Sequence, residues 1–67
     1  MAIVVEFDEL RKAKKLTMTQ LAEIIGITQA NLFVLKSGKA RAIRFSTLES
    51  LCKALDCQPG DVLRFVD

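Results

Sequence analysis

"TMTQLAEIIGITQANLFVLKSG" spans Thr17 to Gly38, and two helices joined by a sharp turn account for its spacing. Thr17-Met18-Thr19-Gln20 fits the S/T-x-x-E/Q capping box, in which the first and last side chains satisfy two backbone N–H groups at a helix start. Leu21, Ile24 and Ile25 follow at the i, i+3, i+4 spacing of one apolar helix face. Gly26 ends that helix well, because glycine takes up a left-handed backbone without penalty. Thr28 is a second N-cap, and Gln29 to Lys36 reads as a helix that buries Leu32 and Leu35 and ends near Gly38. Only Gly26 and Ile27 separate Ile25 from that cap, so the two helices must cross at a steep angle. Ala22 is small where the second helix approaches, and Ile27, Leu32 and Leu35 close the core between the pair.

Upstream, Ala2 to Phe7 is short, β-branched and apolar, which reads as a strand. Phe7 to Leu16 reads as a helix, with Phe7, Leu10 and Ala13 on one face. Asp8 and Glu9 near its start and Lys14 and Lys15 near its end suit the macrodipole. Downstream, Lys39 to Phe45 is a basic loop. Ser46-Thr47-Leu48-Glu49 repeats the capping-box pattern and opens a helix that carries Leu48, Leu51, Cys52 and Leu55 inward. Pro59 suits the first position of a short helical turn, and Val62 to Val66 can finish as a strand. A lone strand at each end makes sense if the two pair with each other.

A chain of 67 residues is one domain at most, and at that size a core is marginal, so a second subunit is a plausible source of stability. No apolar run approaches 18 residues, which excludes a membrane-spanning helix, and the N-terminal residues Met1 to Glu6 lack the features of a signal peptide. The default compartment is the cytoplasm. Cys52 and Cys57, with no histidine in the chain, cannot make a four-ligand zinc site alone; they read as a buried and a half-exposed thiol. Catalysis lacks its parts: there is no histidine, no glycine-rich phosphate cradle and no base beside a nucleophile. No cofactor, metal or small-molecule substrate is implied.

The net charge of +2 understates a local excess. Between Glu23 and Glu49 no acidic residue occurs, yet Lys36, Lys39, Arg41 and Arg44 do. A segment of +4 in a chain whose remainder carries −2 points to an anionic partner, although a charge run alone is more often a solvated face. Lys12, Lys14 and Lys15 read as such a face. The layout of cap, helix, glycine, cap, helix, glycine is that of a helix-turn-helix, whose second helix enters the DNA major groove N-terminus first.

Over Leu16 to Leu63 the chain resembles the lambda-repressor-like family of helix-turn-helix transcriptional regulators. The resemblance rests on Gln20-Leu21-Ala22, Gly26-Ile27-Thr28, Leu32, Leu35 and Gly38 at their spacings, and on the extension "RFSTLESLCKALDCQPGDVL" from Arg44 to Leu63. It implies an all-α, compact five-helix fold; with the pairing of the end strands read above, the expectation is a single domain over residues 1–67 that adds a small two-stranded sheet from the termini. It implies that Thr28, Gln29, Ala30 and Asn31 stand at the tip of the recognition helix with Val34 one turn on. Of these, Gln29 is the best base reader, since its amide can pair with both the N6 and N7 positions of adenine, and Ala30 and Val34 suit a thymine methyl. Thr17, Met18 and Thr19, at the start of the first motif helix, and Ser37, Lys39, Arg41 and Arg44, in the following loop, match the family's phosphate contacts. Lys36 has the alternative of pointing back along the helix flank. The implied partner is double-stranded DNA bearing a palindromic operator, read by a homodimer acting as a repressor, with Phe65 and Val66 of the end strand, or the outer face of the fifth helix, as its interface. Phe33 and Val34 depart from the family, which is usually polar there. Phe33 is open to three roles: packing on the Ile43–Phe45 loop, touching a thymine or sugar, or meeting another protein. A rival function follows from the last, a protein-interaction module using Phe33, Val34 and Ile43. Salt separates the two, since phosphate contacts weaken by roughly 0.9 log unit each per tenfold salt and an apolar contact does not.

Overall fold

A computed structural model describes residues 2–67; Met1 lies outside them. The order is β1 (Ala2–Val5), α1 (Asp8–Ala13), α2 (Met18–Ile25), α3 (Gln29–Lys36), α4 (Phe45–Leu55), α5 (Pro59–Val62) and β2 (Leu63–Val66). Among the described residues five helices enclose one core, and the two end strands pair antiparallel from Ala2 opposite Val66 to Val5 opposite Leu63.

The helix boundaries follow local chemistry where caps are present. Thr17 Oγ1 accepts from the Gln20 N–H at 3.0 Å, and Gln20 Oε1 accepts from the Thr17 N–H at 2.8 Å, so the capping box is complete. Gly26 takes φ +76° and ends α2. Thr28 Oγ1 accepts from the Asn31 N–H at 3.1 Å and opens α3. The axis turns by 109° between α2 and α3, within the range of a helix-turn-helix. Pro59 occupies the first turn of α5, and Asp61 Oδ2 accepts from the Gln58 N–H at 2.9 Å.

Several expectations need correction. β1 ends at Val5, and Phe7 is the N-cap of α1 with its ring buried in the core. α1 stops at Ala13 rather than Leu16, because Lys15 turns left-handed at φ +57° and Leu16 N–H donates back to Arg11 O. Ala13 is exposed and Leu10 only half-buried. Ile24 is 56% exposed: Leu21, Ala22 and Ile25 occupy one arc of α2 turned toward α3, and Ile24 falls on the far side of Leu21. α4 begins at Phe45, not after Ser46; Arg44 is its N-cap and accepts the first bond from Leu48 N–H at 3.0 Å. Ser46 is therefore already helical, and the box expected of it does not form. Cys52 is half-buried, like Cys57, rather than buried. Burial pushes the Cys57 thiol above its ordinary pKa, with Cys52 beside it adding to the effect.

The core is Phe7, Leu21, Ala22, Ile25, Leu32, Leu35, Leu48, Leu51, Leu55 and Val62. It draws on α2, α3, α4 and α5, and Leu32 and Leu35 seat α3 in it, chiefly against α2. Each fully buried leucine contributes on the order of 1.5–3 kcal/mol. Among the described residues no single helix is long and apolar enough to cross a membrane.

Candidate nucleic-acid interface

α3 packs through Leu32 and Leu35 and leaves its other faces to solvent. One of these faces forms a wall of an open groove of about 600 Å³. Thr28, Asn31 and Val34 stand on the α3 side; Lys39, Arg41 and Arg44 come from the loop opposite. Six of the twelve residues singled out from the sequence are thus brought together. The loop alternates cations with Ala40, Ala42 and Ile43, and of these Ala40 and Ile43 pack against the core. That alternation anchors the loop and turns its charges outward; it was present in the sequence as a signal for the loop's geometry. Thr47 also lines the groove, a residue hidden from the sequence reading by its apparent place in a capping box.

The remaining candidates lie outside the groove lining. Gln29 and Ala30 are exposed at the tip of α3, ahead of its first intrahelical bond, which Leu32 N–H donates to Thr28 O. Thr17 and Thr19 are exposed at the start of α2. Met18 packs its side chain on the core, so only its backbone faces solvent as a donor. Thr17 Oγ1 and Thr28 Oγ1 accept in their caps and keep their hydroxyl hydrogens for another acceptor. Ser37 plays a structural part. Its hydroxyl donates to Val34 O at 2.8 Å and accepts from the Lys39 N–H at 3.3 Å, which sets where the basic loop leaves α3.

Charge pairing separates the cations. Asp8 gathers Arg11 at 2.9 Å, Lys12 at 3.4 Å and Lys36 at 3.7 Å, and Lys14 reaches Asp56 at 3.9 Å. The hydrogen bond from Arg11 holds the Asp8 carboxyl below its ordinary pKa, with the nearby lysines adding to it. Lys36 therefore points back along the helix flank toward α1, and its ammonium lies 6.0 Å from the Phe33 ring centroid. Phe33 is 49% exposed and does not join the side chains packed on the core. Lys39, Arg41 and Arg44 make no ion pair among the described residues. Three unpaired cations beside the exposed tip of a tilted helix make a surface suited to a polyanion.

The Cro/C1-type HTH DNA-binding domain model matches residues 6–67. The chain belongs to that family. Its members are DNA-binding domains of transcriptional regulators, not enzymes. A relative described as an uncharacterized HTH-type transcriptional regulator, YozG of Bacillus subtilis (strain 168), is 55% identical over 65 residues, which is 97% of this chain and 77% of the relative. Among solved structures, the restriction-modification controller protein C.AhdI from Aeromonas hydrophila is 30% identical with a TM-score of 0.70, covering 79% of each chain. The SinR protein/SinI protein complex contains a chain with a TM-score of 0.75 at 22% identity; it covers 82% of this chain, which spans 53% of its length. At that identity the likeness speaks for the fold.

Proposed function

We propose that the chain represses transcription by binding a palindromic operator as a homodimer, each α3 reading one major-groove half-site. The carrying observation is the juxtaposition of Lys39, Arg41 and Arg44, all without ion-pair partners among the described residues, with Thr28, Asn31 and Val34 of α3. In this reading the loop cations neutralise phosphates. The first-turn N–H groups of Met18 and Thr19, with the Thr17 hydroxyl, hold a second stretch of backbone. Ser37 supports the loop rather than contacting DNA. Gln29 reads a base edge from the tip of α3, Asn31 and Thr28 add polar contacts, and Ala30 and Val34 meet thymine methyls. One such module reads only a few base pairs, so two copies on half-sites about one helical turn apart supply specificity. A dimer seated across a promoter represses by excluding polymerase from the same DNA.

The exposure of Phe33 favours a second reading, a protein contact through Phe33 and Val34. Ile43 is not part of it, because that side chain packs on the core. Selection from random duplex DNA with the purified protein tests the first reading. A short palindrome, with affinity falling steeply as salt rises, is the expected result. No enriched sequence, together with salt-insensitive capture of a protein, would favour the second.

A further inference from the structure

α4 has two apolar faces. Leu48, Leu51 and Leu55 turn into the core. Phe45 and Cys52 lie on an outer face, along a groove of about 660 Å³ whose far wall is Cys57, Pro59 and Leu63. Phe45 is 83% exposed, far more than a phenylalanine with no partner needs to be. The surface continues onto the hairpin: Leu63 and Phe65, two apart in β2, share a side, and Phe65 is exposed. Glu49 and Lys53 stand on the groove margin one helical turn apart, and neither makes an ion pair among the described residues.

We propose that this face binds a second copy of the chain, with α4 packed antiparallel on α4 about a twofold axis. The proposal rests on the homodimer reading above and gives it a surface. A twofold contact sets one patch against itself, so the patch must complement its own image. This one does. Reversing α4 so that Glu49 faces Lys53 of the partner subunit also places Lys53 against Glu49 of the partner subunit. The same register carries Phe45 to the level of the partner's Cys57, where the partner's groove receives the ring. With the axis at the level of Leu51, the two Glu49–Lys53 pairs lie nearest it and the two phenylalanines flank them, each ring seated in the partner's groove as an aromatic anchor. The outer groove shares no lining residue with the groove between α3 and the basic loop, so pairing leaves the cations open to DNA.

Sedimentation equilibrium on the intact chain tests this. Glu49→Lys alone and Lys53→Glu alone each set like charges together twice per dimer and should weaken dimerisation roughly tenfold. An equimolar mixture of the two variants should form a heterodimer about as tight as the native dimer, since each chain then meets its opposite. Phe45→Ala should weaken dimerisation on the order of 100-fold without unfolding, as the ring is outside the core. A native chain that stays monomeric at high concentration would overturn both the homodimer reading and this surface. A dimer that tolerates both charge swaps, or a mixture that recovers nothing, would overturn this surface alone.

Discussion

Two clusters of cations look alike in the sequence and differ in the folded chain. Arg11, Lys12 and Lys14 are paired at home, the first two with Asp8 and the third with Asp56. Lys39, Arg41 and Arg44 are held outward by a loop whose alternate residues, Ala40 and Ile43, are fastened to the core. Even Lys36, the basic residue nearest the loop, is drawn away by Asp8. In the proposed reading, the surface that meets DNA is the one whose cations are left without an acid, beside a helix tip with donors to spare. Counting charges along the chain finds both clusters; only tertiary placement tells them apart.

The largest test removes the outward cluster. Replacing Lys39, Arg41 and Arg44 together with alanine should lower DNA affinity by roughly 500-fold at 0.1 M salt and the log–log salt slope by about 2.7, from roughly 0.9 per phosphate contact. The control, Lys12→Ala with Lys14→Ala, should leave the slope within about 0.5 of the native value. Equal losses from both sets, measured by fluorescence anisotropy across a salt series, would erase the distinction. Next in size, Gln29→Ala should cost about 1–3 kcal/mol on the selected operator and relax preference at one position of each half-site, while leaving the salt slope alone.

Two smaller tests address the paired region. Lys15 holds φ +57° at the end of α1, a conformation that suits glycine. Lys15→Gly should therefore stabilise the fold by about 0.5–1 kcal/mol in urea melts and not alter DNA binding. The smallest effect is a pH dependence. The Asp8 pKa is lowered in the folded chain, so its contribution is fully present above the ordinary carboxylate range and is lost as pH falls through the lowered value. Asp8→Asn should lower the melting temperature near neutral pH and make no difference in acid below that value. An unchanged melt near neutrality would show that the Asp8 cluster is decorative.

The caps explain how much could be seen beforehand. Thr17, Gly26, Thr28 and Pro59 act within a few residues of themselves, so their chemistry shows in the letters, and with them the helix-turn-helix. The end of α1 and the start of α4 lacked such marks. Lys15 is left-handed without being glycine, and Arg44 caps α4 with no side-chain bond, while Ser46 imitated a cap two residues late. The ion pair between Arg64 and Glu6, and that between Lys36 and Asp8, join residues far apart in the chain, and no local pattern announces them. The residues beside α3 were legible as a set but not as a placement, since Gln29 and Ala30 are exposed outside the lining of the groove.

The hairpin that ties Ala2 to Val66 also sets an order of events in the cell. A ribosome releases β1 well before β2, so Ile3, Val4 and Val5 travel as an open edge while the helices collect behind them. Truncation anywhere before Leu63 leaves that edge without its mate, and an apolar strand edge without a mate is a template for pairing with another chain.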